Sequence, residues 1–266
     1  MSLRVISASR RIDMVGTSPD ALSAALRAKF PPSSVHTLVL WTKNPGLLLG
    51  HGKLRETVSG YRQVFVHCTV TGMGSTGLEP RVPQYRESLS CLPELVELVG
   101  RPERVRLRFD PIVHLTAADT GTYSNLPLFE GVVSAAGRVG LPVVIVSWVQ
   151  SYPKVERRLR ARGIRLEMPA ESVMREELSQ MQASCTRAHV RLLGCCAPGL
   201  PAAKCIDGEL FNAFHPLGLT CSEARAGDQR AACSCTTSLD IGWYKPCVHG
   251  CLYCYANPGV CDAGEP

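Results

Sequence analysis

Short apolar segments alternate with helical segments through the first two-thirds of the chain, and this alternation constrains the fold more than any other feature. Six segments predict strands: RVISAS (4–9), TLVLWT (37–42), QVFVHCTV (63–70), RVRLRF (104–109), PVVIVSWV (142–149) and HVRLLG (189–194). Helical patterns lie between them, near residues 19–29, 84–99, 124–139 and 153–187. Continuous apolar strands that alternate with helices are typical of a parallel sheet covered on both faces.

Polar residues follow five of these predicted strands, at residues 9–13, 42–45, 69–72, 108–111 and 147–150. In a parallel sheet the carboxyl ends of the strands meet at one edge, where functional side chains gather. Each set also has a purely structural interpretation, with Asp13 as a helix cap, Asn44 as a turn starter and Arg108 in a simple surface ion pair. Because all five sets hold the same position in the pattern, we expect them in one cleft.

Cysteine is the unusual component of the composition: the chain has 13, and ten of them lie from Cys195 onward. We expect a cytosolic chain, in which that number favours metal binding or redox chemistry over disulfide bonds. Residues 195–235 are also rich in Gly, Ala and Pro, and they need something such as a metal to organise them. We therefore expect an α/β barrel-like domain at 1–194 and a cysteine-rich tail at 195–266 that packs on the same domain.

The sharpest motif is CVHGCLYC, in which Cys247, Cys251 and Cys254 follow the spacing C-x3-C-x2-C. Three thiolates on one short loop can ligate three irons of a 4Fe–4S cluster and leave the fourth iron free for another ligand. A closed zinc site needs four ligands, and His249 or a distant cysteine could supply the last. The spacing alone leaves both metals open.

The longer string CVHGCLYCYA (247–256) resembles the cysteine loop of the radical S-adenosylmethionine (SAM) superfamily, in the version seen in spore photoproduct lyase-like proteins. The resemblance implies that Cys247, Cys251 and Cys254 hold a 4Fe–4S cluster whose open iron chelates SAM. It further implies reductive cleavage of SAM to a 5′-deoxyadenosyl radical, which abstracts hydrogen from a substrate. Tyr253 is then expected to pack near the adenine, or to shield the cluster from water.

A second resemblance extends along nearly the whole chain. The motifs SRRID, LWTKNP, TVTGMGSTGLEP, RFDPI, CID, DQRAACSC, DIGWY and GCLYCYA, in this order, resemble the bacterial family called domain of unknown function 1848 (DUF1848). The cysteine tail of that family is itself likened to the radical SAM loop. The resemblance therefore implies a class of chemistry and no particular substrate.

The position of the cysteine loop differs from the usual radical SAM arrangement, in which the loop follows the first strand. Here it follows DIGWY (240–244), at the other end of the chain. A circular permutation would explain the difference and would make this apolar piece the neighbour of RVISAS (4–9). The predicted fold is therefore an α/β protein with a partial or circularly permuted (β/α) barrel of about six to seven mainly parallel strands.

A second set of cysteines precedes this loop. Its members are Cys195, Cys196, Cys205, Cys221, Cys233 and Cys235. We expect Cys196, Cys205, Cys233 and Cys235 to hold an auxiliary iron–sulfur cluster or a zinc, with buried free thiols as the alternative. Asp207, Asp228 and Arg230 are expected as their hydrogen-bonding partners. The remaining thiols are predicted to be core residues, or in one case a free tail thiol: Cys68, Cys91, Cys185 and Cys261.

Polar residues after the strands are candidates for binding SAM and the substrate. Arg10, Arg11 and Lys43 could hold the carboxylate of SAM. Thr42 and Asn44 could bond its ribose or amino group. Arg108 and Asp110 are the candidate catalytic pair, which would orient the substrate.

Charge and hydropathy exclude some classes and leave others open. The net charge of +6 fits an anionic substrate and supports nucleic acid only weakly, and the basic stretch 157–165 is interpreted as a solvated helix face. No apolar run reaches membrane-spanning length, and a cytoplasmic protein is expected, with a reductant such as flavodoxin or ferredoxin as partner. Two alternatives remain: a zinc-stabilised α/β protein that could bind nucleic acid, and an iron–sulfur electron-transfer or sensor module without SAM chemistry.

Overall fold

A computed structural model describes residues 3–117, 121–227, 229–243 and 246–256 of the chain. Asp228 and Cys261 lie outside these residues. The strands are β1 (Arg4–Ala8), β2 (Val35–Thr42), β3 (Val64–Thr69), β4 (Val105–Ile112), β5 (His114–Ala117), β6 (Gly121–Ser124), β7 (Val143–Trp148), β8 (Ile164–Leu166), β9 (Arg191–Gly194) and β10 (Leu239–Asp240). The helices are α1 (Met14–Thr17), α2 (Pro19–Lys29), α3 (Pro45–Gly50), α4 (Gly52–Ser59), α5 (Tyr85–Ser90), α6 (Leu92–Val99), α7 (Phe129–Arg138), α8 (Pro153–Arg160), α9 (Glu171–Arg187) and α10 (Gly208–Ala213).

Seven strands form one sheet in the order β10–β1–β2–β3–β4–β7–β9, and every neighbouring pair is parallel. The predicted α/β class is therefore confirmed. β10 lies beside β1, with Leu239 opposite Ile6 and Asp240 opposite Ser7. This pairing is the one that the permutation argument predicted. β10 and β9 form the two edges of the sheet.

Helices cover one face of this sheet. Alternate strand residues such as Ile6, Leu40 and Phe109 are fully buried there. Their partners come from α2, α4, α6, α7 and α9, and include Leu22, Leu54, Leu95, Val132 and Met181. Burial of a side chain of this size stabilises the fold by roughly 1.5–3 kcal/mol, so this layer is the main core.

The described part of the segment between β9 and β10, which includes α10, covers the opposite face, which we call the cysteine face. Val5, Val39 and Phe65 pack there against Ile206 and Phe211, and the two Phe rings are 4.6 Å apart. Because strand side chains alternate between faces, the same face also carries polar residues of β1 to β4, namely Ser7, Trp41, His67, Arg106 and Arg108. The cysteine-rich tail therefore packs on the sheet.

A small antiparallel sheet with the order β6–β5–β8 lies next to the cysteine loop. Its Leu115 shares an apolar cluster with Leu159 of α8 and with Cys251 and Tyr253. Strand and helix periodicity did not predict this sheet, because its strands have only three or four residues each. It closes over the loop at the carboxyl end of the main sheet.

The helical pattern predicted over 153–187 is divided in the structure. α8 ends before a turn in which Gly163 has a φ of +68°, and β8 then separates it from α9. A positive φ favours glycine and cannot continue a right-handed helix. No helix in the described part of the chain is both long and apolar enough to cross a membrane.

Candidate functional site

The cysteine loop, residues 247–254, is held at the carboxyl edge of the main sheet by a buried contact between His249 and Asp13. Nε2 of His249 donates to the Asp13 carboxylate at 2.7 Å, and Nδ1 donates to the carbonyl oxygen of Arg81 at 3.2 Å. Burial lowers the pKa of His249, but the hydrogen bond and charge of Asp13 outweigh it and the pKa is raised. Both ring nitrogens are therefore engaged as donors, and neither is available to a zinc ion.

Asp13 connects this loop to two further elements. It caps α1 by accepting the backbone N–H of Gly16 at 2.7 Å, as the cap interpretation predicted. Its other oxygen accepts the Thr42 hydroxyl at 3.0 Å and the backbone N–H of Lys43 at 2.8 Å. Burial raises the pKa of Asp13, but the hydrogen bond and charge of His249 bring it below its usual range. One carboxylate thus joins the ends of β1 and β2 to the cysteine loop.

A second buried contact involves Tyr253. Nζ of Lys43 donates to Glu79 at 2.8 Å and to the Tyr253 hydroxyl at 2.9 Å, and the Tyr253 hydroxyl donates to the same Glu79 oxygen. Burial raises the pKa of Glu79, but the opposing effect of the Lys43 charge is part of a larger lowering. The pKa is therefore below its ordinary value, and the carboxylate is favoured. Burial lowers the pKa of Lys43, but Glu79 and then Cys251 raise it above its ordinary value. Lys43 therefore remains a cation close to Cys251.

Other backbone contacts complete the support of the loop. The N–H of Leu252 donates to the carbonyl of Leu78 at 3.0 Å, and the hydroxyl of Thr17 lies 3.6 Å from Sγ of Cys247. Arg158 donates to the carbonyl oxygens of Leu252 (3.1 Å) and Cys254. Arg158 belongs to the basic stretch 157–165, so the prediction of a solvated helix face is wrong for this residue.

Cys247 and Cys254 lie close enough to Cys251 to affect its ionisation. Cys251 is buried, and Cys247 and Cys254 are half-buried. Burial raises the pKa of Cys251 and of Cys254, and the neighbouring thiols of the loop raise both further. A bound cation would offset this cost of holding three thiolates together.

Residues that were predicted to bind SAM have hydrogen-bonding partners within the chain. Arg10 forms an ion pair with Asp240 of β10 at 3.7 Å, and its carbonyl accepts the Tyr255 hydroxyl at 2.9 Å. Arg11 donates to the carbonyl of Gly242 at 3.4 Å. Asn44 caps α3 by accepting the N–H of Leu47, whereas the structural alternative predicted for it was the start of a turn. Arg10 and Arg11 therefore lie where β1, β10 and the cysteine loop meet.

Five of the remaining thiols form a second set on the cysteine face, which we call the five-thiol group: Cys195, Cys196, Cys205, Cys233 and Cys235. The thiol of Cys205 lies within hydrogen-bonding reach of Cys195 on one side and Cys235 on the other. Cys195 in turn lies beside Cys196, and Cys235 lies beside Cys233. The hydrogen bond from Cys205 lowers the pKa of Cys235 despite its burial. The structure thus brings together the four predicted thiols and adds Cys195.

Arg108 and Asp110, the predicted catalytic pair, lie beside the five-thiol group. Arg108 donates to Sγ of Cys205 at 2.8 Å and forms an ion pair with Asp110, which also accepts the hydroxyl of Ser147. Burial lowers the pKa of Arg108, but the charges of Cys205 and Asp110 raise it well above its ordinary value. Burial raises the pKa of Asp110, but Arg108 lowers it below its usual range. The pair is therefore held ionised and inside the protein.

Cys221 belongs to neither set. Its thiol points to the carbonyl of Gly208, 3.9 Å away. Of the expected partners of the second set, Asp207 caps α10 and Arg230 donates to Sγ of Cys195 at 3.5 Å.

Sequence reasoning missed Glu79, Arg158 and the full role of Asp13. A glutamate inside the Gly-rich stretch 69–80 was the available signal for the first of these.

In residues 3–117, 121–227, 229–243 and 246–256, no three His, Cys, Asp or Glu side chains converge as ligands on one metal ion. A tetrahedral zinc with bonds of about 2.3 Å needs sulfurs about 3.8 Å apart around one point. A 4Fe–4S cluster is less demanding in this respect, because each cysteine ligates a different iron. With only thiols as donors on the loop, and with His249 engaged elsewhere, the loop residues fit such a cluster better than they fit zinc.

The fold and these contacts define an α/β protein with a seven-stranded parallel sheet, one group of cysteines at its carboxyl edge and a second group on its cysteine face. The chain belongs to the family described as domain of unknown function (DUF1848), whose model matches residues 13–256. No curated protein matches it. Among solved structures it is similar to the carboxyl transferase domain from Rhizobium etli pyruvate carboxylase, with 8% identity and a TM-score of 0.25, over 82% of this chain and 44% of that chain. At that score the likeness bears on neither fold nor function.

Proposed function

We propose that the chain is a radical SAM-type enzyme, in which Cys247, Cys251 and Cys254 hold a 4Fe–4S cluster. The observation that carries the proposal is the way the loop is held: three thiols on one short segment, with their only histidine locked between Asp13 and the carbonyl of Arg81. Three thiolates and no fourth ligand within the loop suit a cluster with one open iron. When bound, this cluster and SAM would supply a radical able to abstract hydrogen from a substrate.

The surrounding side chains have roles that fit this chemistry. Lys43, fixed by Glu79 and Tyr253, places a buried positive charge beside Cys251 and favours its thiolate. Arg10 and Arg11 lie just after β1, where the backbone carbonyl of Arg10 accepts the hydroxyl of Tyr255 next to the loop, and we assign both arginines the carboxylate of SAM. The apolar cluster around Cys251 and Tyr253 would keep water away from reactive species.

The proposal is tested with the full chain, purified anaerobically and reconstituted with iron and sulfide. Iron and sulfide are counted, and electron paramagnetic resonance spectra of the dithionite-reduced protein are recorded with and without SAM. Formation of 5′-deoxyadenosine is followed by chromatography. We expect a reduced-cluster signal that changes when SAM is added, and cleavage of SAM under reducing conditions; dithionite replaces the expected flavodoxin or ferredoxin.

The matched variants are Cys251→Ser and Cys91→Ala. Cys91 is half-buried and donates to the carbonyl of Glu87, outside both groups of thiols. We expect Cys251→Ser to lose the SAM-dependent spectral change and the cleavage, and Cys91→Ala to keep both. A spectrum that ignores SAM would favour an electron-transfer or sensor module. Tightly held zinc with no iron after reconstitution would favour the zinc-stabilised alternative, and either result would overturn the proposal.

A further inference from the structure

The five-thiol group is assembled from three separate stretches of the chain and lies on the covered cysteine face of the sheet. Cys195 directly continues β9, where its N–H donates to the carbonyl of Val146 at 2.8 Å. Cys205 lies over β3, where its carbonyl oxygen accepts His67 Nε2 at 2.8 Å. Cys233 and Cys235 come from a third stretch and are buried beside it. A common ligand would explain why thiols from three distant parts of the sequence meet here.

Arginines outnumber carboxylates around this group, with Arg106, Arg108 and Arg230 against Asp110 and Asp207. Arg106 and Arg108 are both buried, with 6% of each exposed, and both extend from β4 onto the cysteine face. Asp110 pairs with Arg108, whereas Nε of Arg106 has no hydrogen-bond partner among the described residues. Guanidinium groups stay charged in proteins, and a buried charge needs compensation. An anionic ligand on the neighbouring sulfurs would supply it.

Hydrogen-bond donors already point at three of the sulfurs. Arg108 donates to Sγ of Cys205 at 2.8 Å, Arg230 to Sγ of Cys195 at 3.5 Å, and the backbone N–H of Ile206 to Sγ of Cys235 at 3.5 Å. Donors to cysteine sulfur stabilise anionic thiolates and tune iron–sulfur clusters. Neutral free thiols packed as small hydrophobes would not need three of them.

We propose that Cys195, Cys205, Cys233 and Cys235 hold a second 4Fe–4S cluster on the cysteine face. Cys195 is preferred to Cys196 because the thiol of Cys195 is the one next to Cys205. Among the described residues, these thiols lie one after another in a row and do not converge on a single point. A cluster accommodates that spread, because its cysteines ligate different irons. The inference does not depend on SAM chemistry at the cysteine loop.

The test counts iron and sulfide per chain in the anaerobically reconstituted full chain by native mass spectrometry. We expect about eight irons in the wild-type protein, and about four in the double variant Cys205→Ser/Cys235→Ser. Cys221→Ser is the matched control, because Cys221 lies in the same tail and its thiol points to a backbone carbonyl; it should keep all eight. Cys196→Ser should keep them as well.

The outcomes separate this inference from the proposed function. If Cys251→Ser retains about four irons at the five-thiol group, and the double variant retains about four at the cysteine loop, both sites hold clusters. If SAM has no effect but the double variant still loses about four irons, the second cluster stands and the radical proposal falls. A wild-type protein with about four irons, all lost in Cys251→Ser, would overturn the inference, as would one zinc per chain lost in the double variant.

A measurement on the wild-type protein covers the case in which the double variant does not fold. Reconstituted protein is treated with iodoacetamide under native conditions and analysed by mass spectrometry. A cluster should protect Cys195, Cys205, Cys233 and Cys235 from alkylation, and removal of iron with a chelator should restore their reactivity while leaving that of Cys221 unchanged. Equal alkylation of these thiols before and after chelation would contradict the second cluster.

Discussion

The substitution Asp13→Asn tests whether one carboxylate joins the cysteine loop to the sheet. One oxygen of Asp13 accepts the cap N–H of Gly16, and the other accepts three donors, from Thr42, Lys43 and His249, at 2.7 to 3.0 Å. If the amide oxygen of the substituted side chain keeps the cap, its NH₂ group faces those three donors. A charged hydrogen bond of this kind contributes about 1.5–3 kcal/mol, and an unpaired buried N–H costs about 1–3 kcal/mol. We therefore expect the free energy of unfolding to fall by about 3 kcal/mol.

The assay is urea unfolding of the full chain under anaerobic conditions, followed by tryptophan fluorescence and circular dichroism. The control is Asp20→Asn, whose carboxylate is 71% exposed and pairs with His51 and Lys53 at 3.6 and 3.5 Å. Exposed pairs of this kind contribute about 0–1 kcal/mol. Iron retained per chain after gel filtration is a second measurement, and Asp13→Asn should lower it. Equal unfolding midpoints for the two variants would refute the reasoning.

Three further predictions concern the fold around the site. Gly137→Ala would bring a Cβ to 2.5 Å from the carbonyl oxygen of Ala188, and chemical unfolding should show a loss of about 1–3 kcal/mol. Gly131→Ala in the same helix meets no atom within 4 Å and should gain up to about 1 kcal/mol, so the reverse order would contradict the packing. Burial and the neighbouring His36 lower the pKa of His215, whose Nδ1 accepts two backbone N–H groups. The folded protein then binds fewer protons than the unfolded chain, so stability should fall as the pH drops below the ordinary value of 6.5. His215→Gln should reduce this dependence in urea midpoints measured from about pH 8 to about pH 5.5, and an unchanged slope would count against it. Phe211→Ala should cost about 3–5 kcal/mol and expose residues 195–243 to limited proteolysis, since Phe211 is buried on the cysteine face; a wild-type cleavage pattern would disprove that coupling.

The strands of the main sheet were predictable because each is a nearly continuous apolar run. Even β10, which has two assigned residues, was predicted beside β1 from the position of DIGWY relative to the cysteine loop. The small sheet of β5, β6 and β8 was not, because strands of three or four residues carry too little periodicity. The break at Gly163 was missed for a related reason: a single glycine in a helical pattern does not by itself end the helix.

Much of the candidate site depends on contacts that link distant parts of the chain. Periodicity placed Asp13, Lys43 and Arg108 at strand ends, but it does not reveal their partners. The pairing of Asp13 with His249 joins residues 236 positions apart, and that of Arg108 with Cys205 joins residues 97 apart. The preference for Cys195 over Cys196 depends on which thiol lies beside Cys205, and the sequence does not contain that information.

The ion pairs at the carboxyl edge bear on both cysteine groups at once. Lys43 with Glu79 lies beside Cys251, and Arg108 with Asp110 lies beside Cys205; the charge of Asp110 also acts on Lys43. Buried ion pairs are costly, and apolar residues of similar volume often stabilise a protein as well or better. Their retention is explained if they hold sulfur ligands and balance the charge of bound clusters. Lys43 directly follows β2, and Arg108 belongs to β4. Only β3 separates these two strands, so they are about 10 Å apart. The register of three neighbouring strands therefore determines how the two cysteine groups are placed relative to one another.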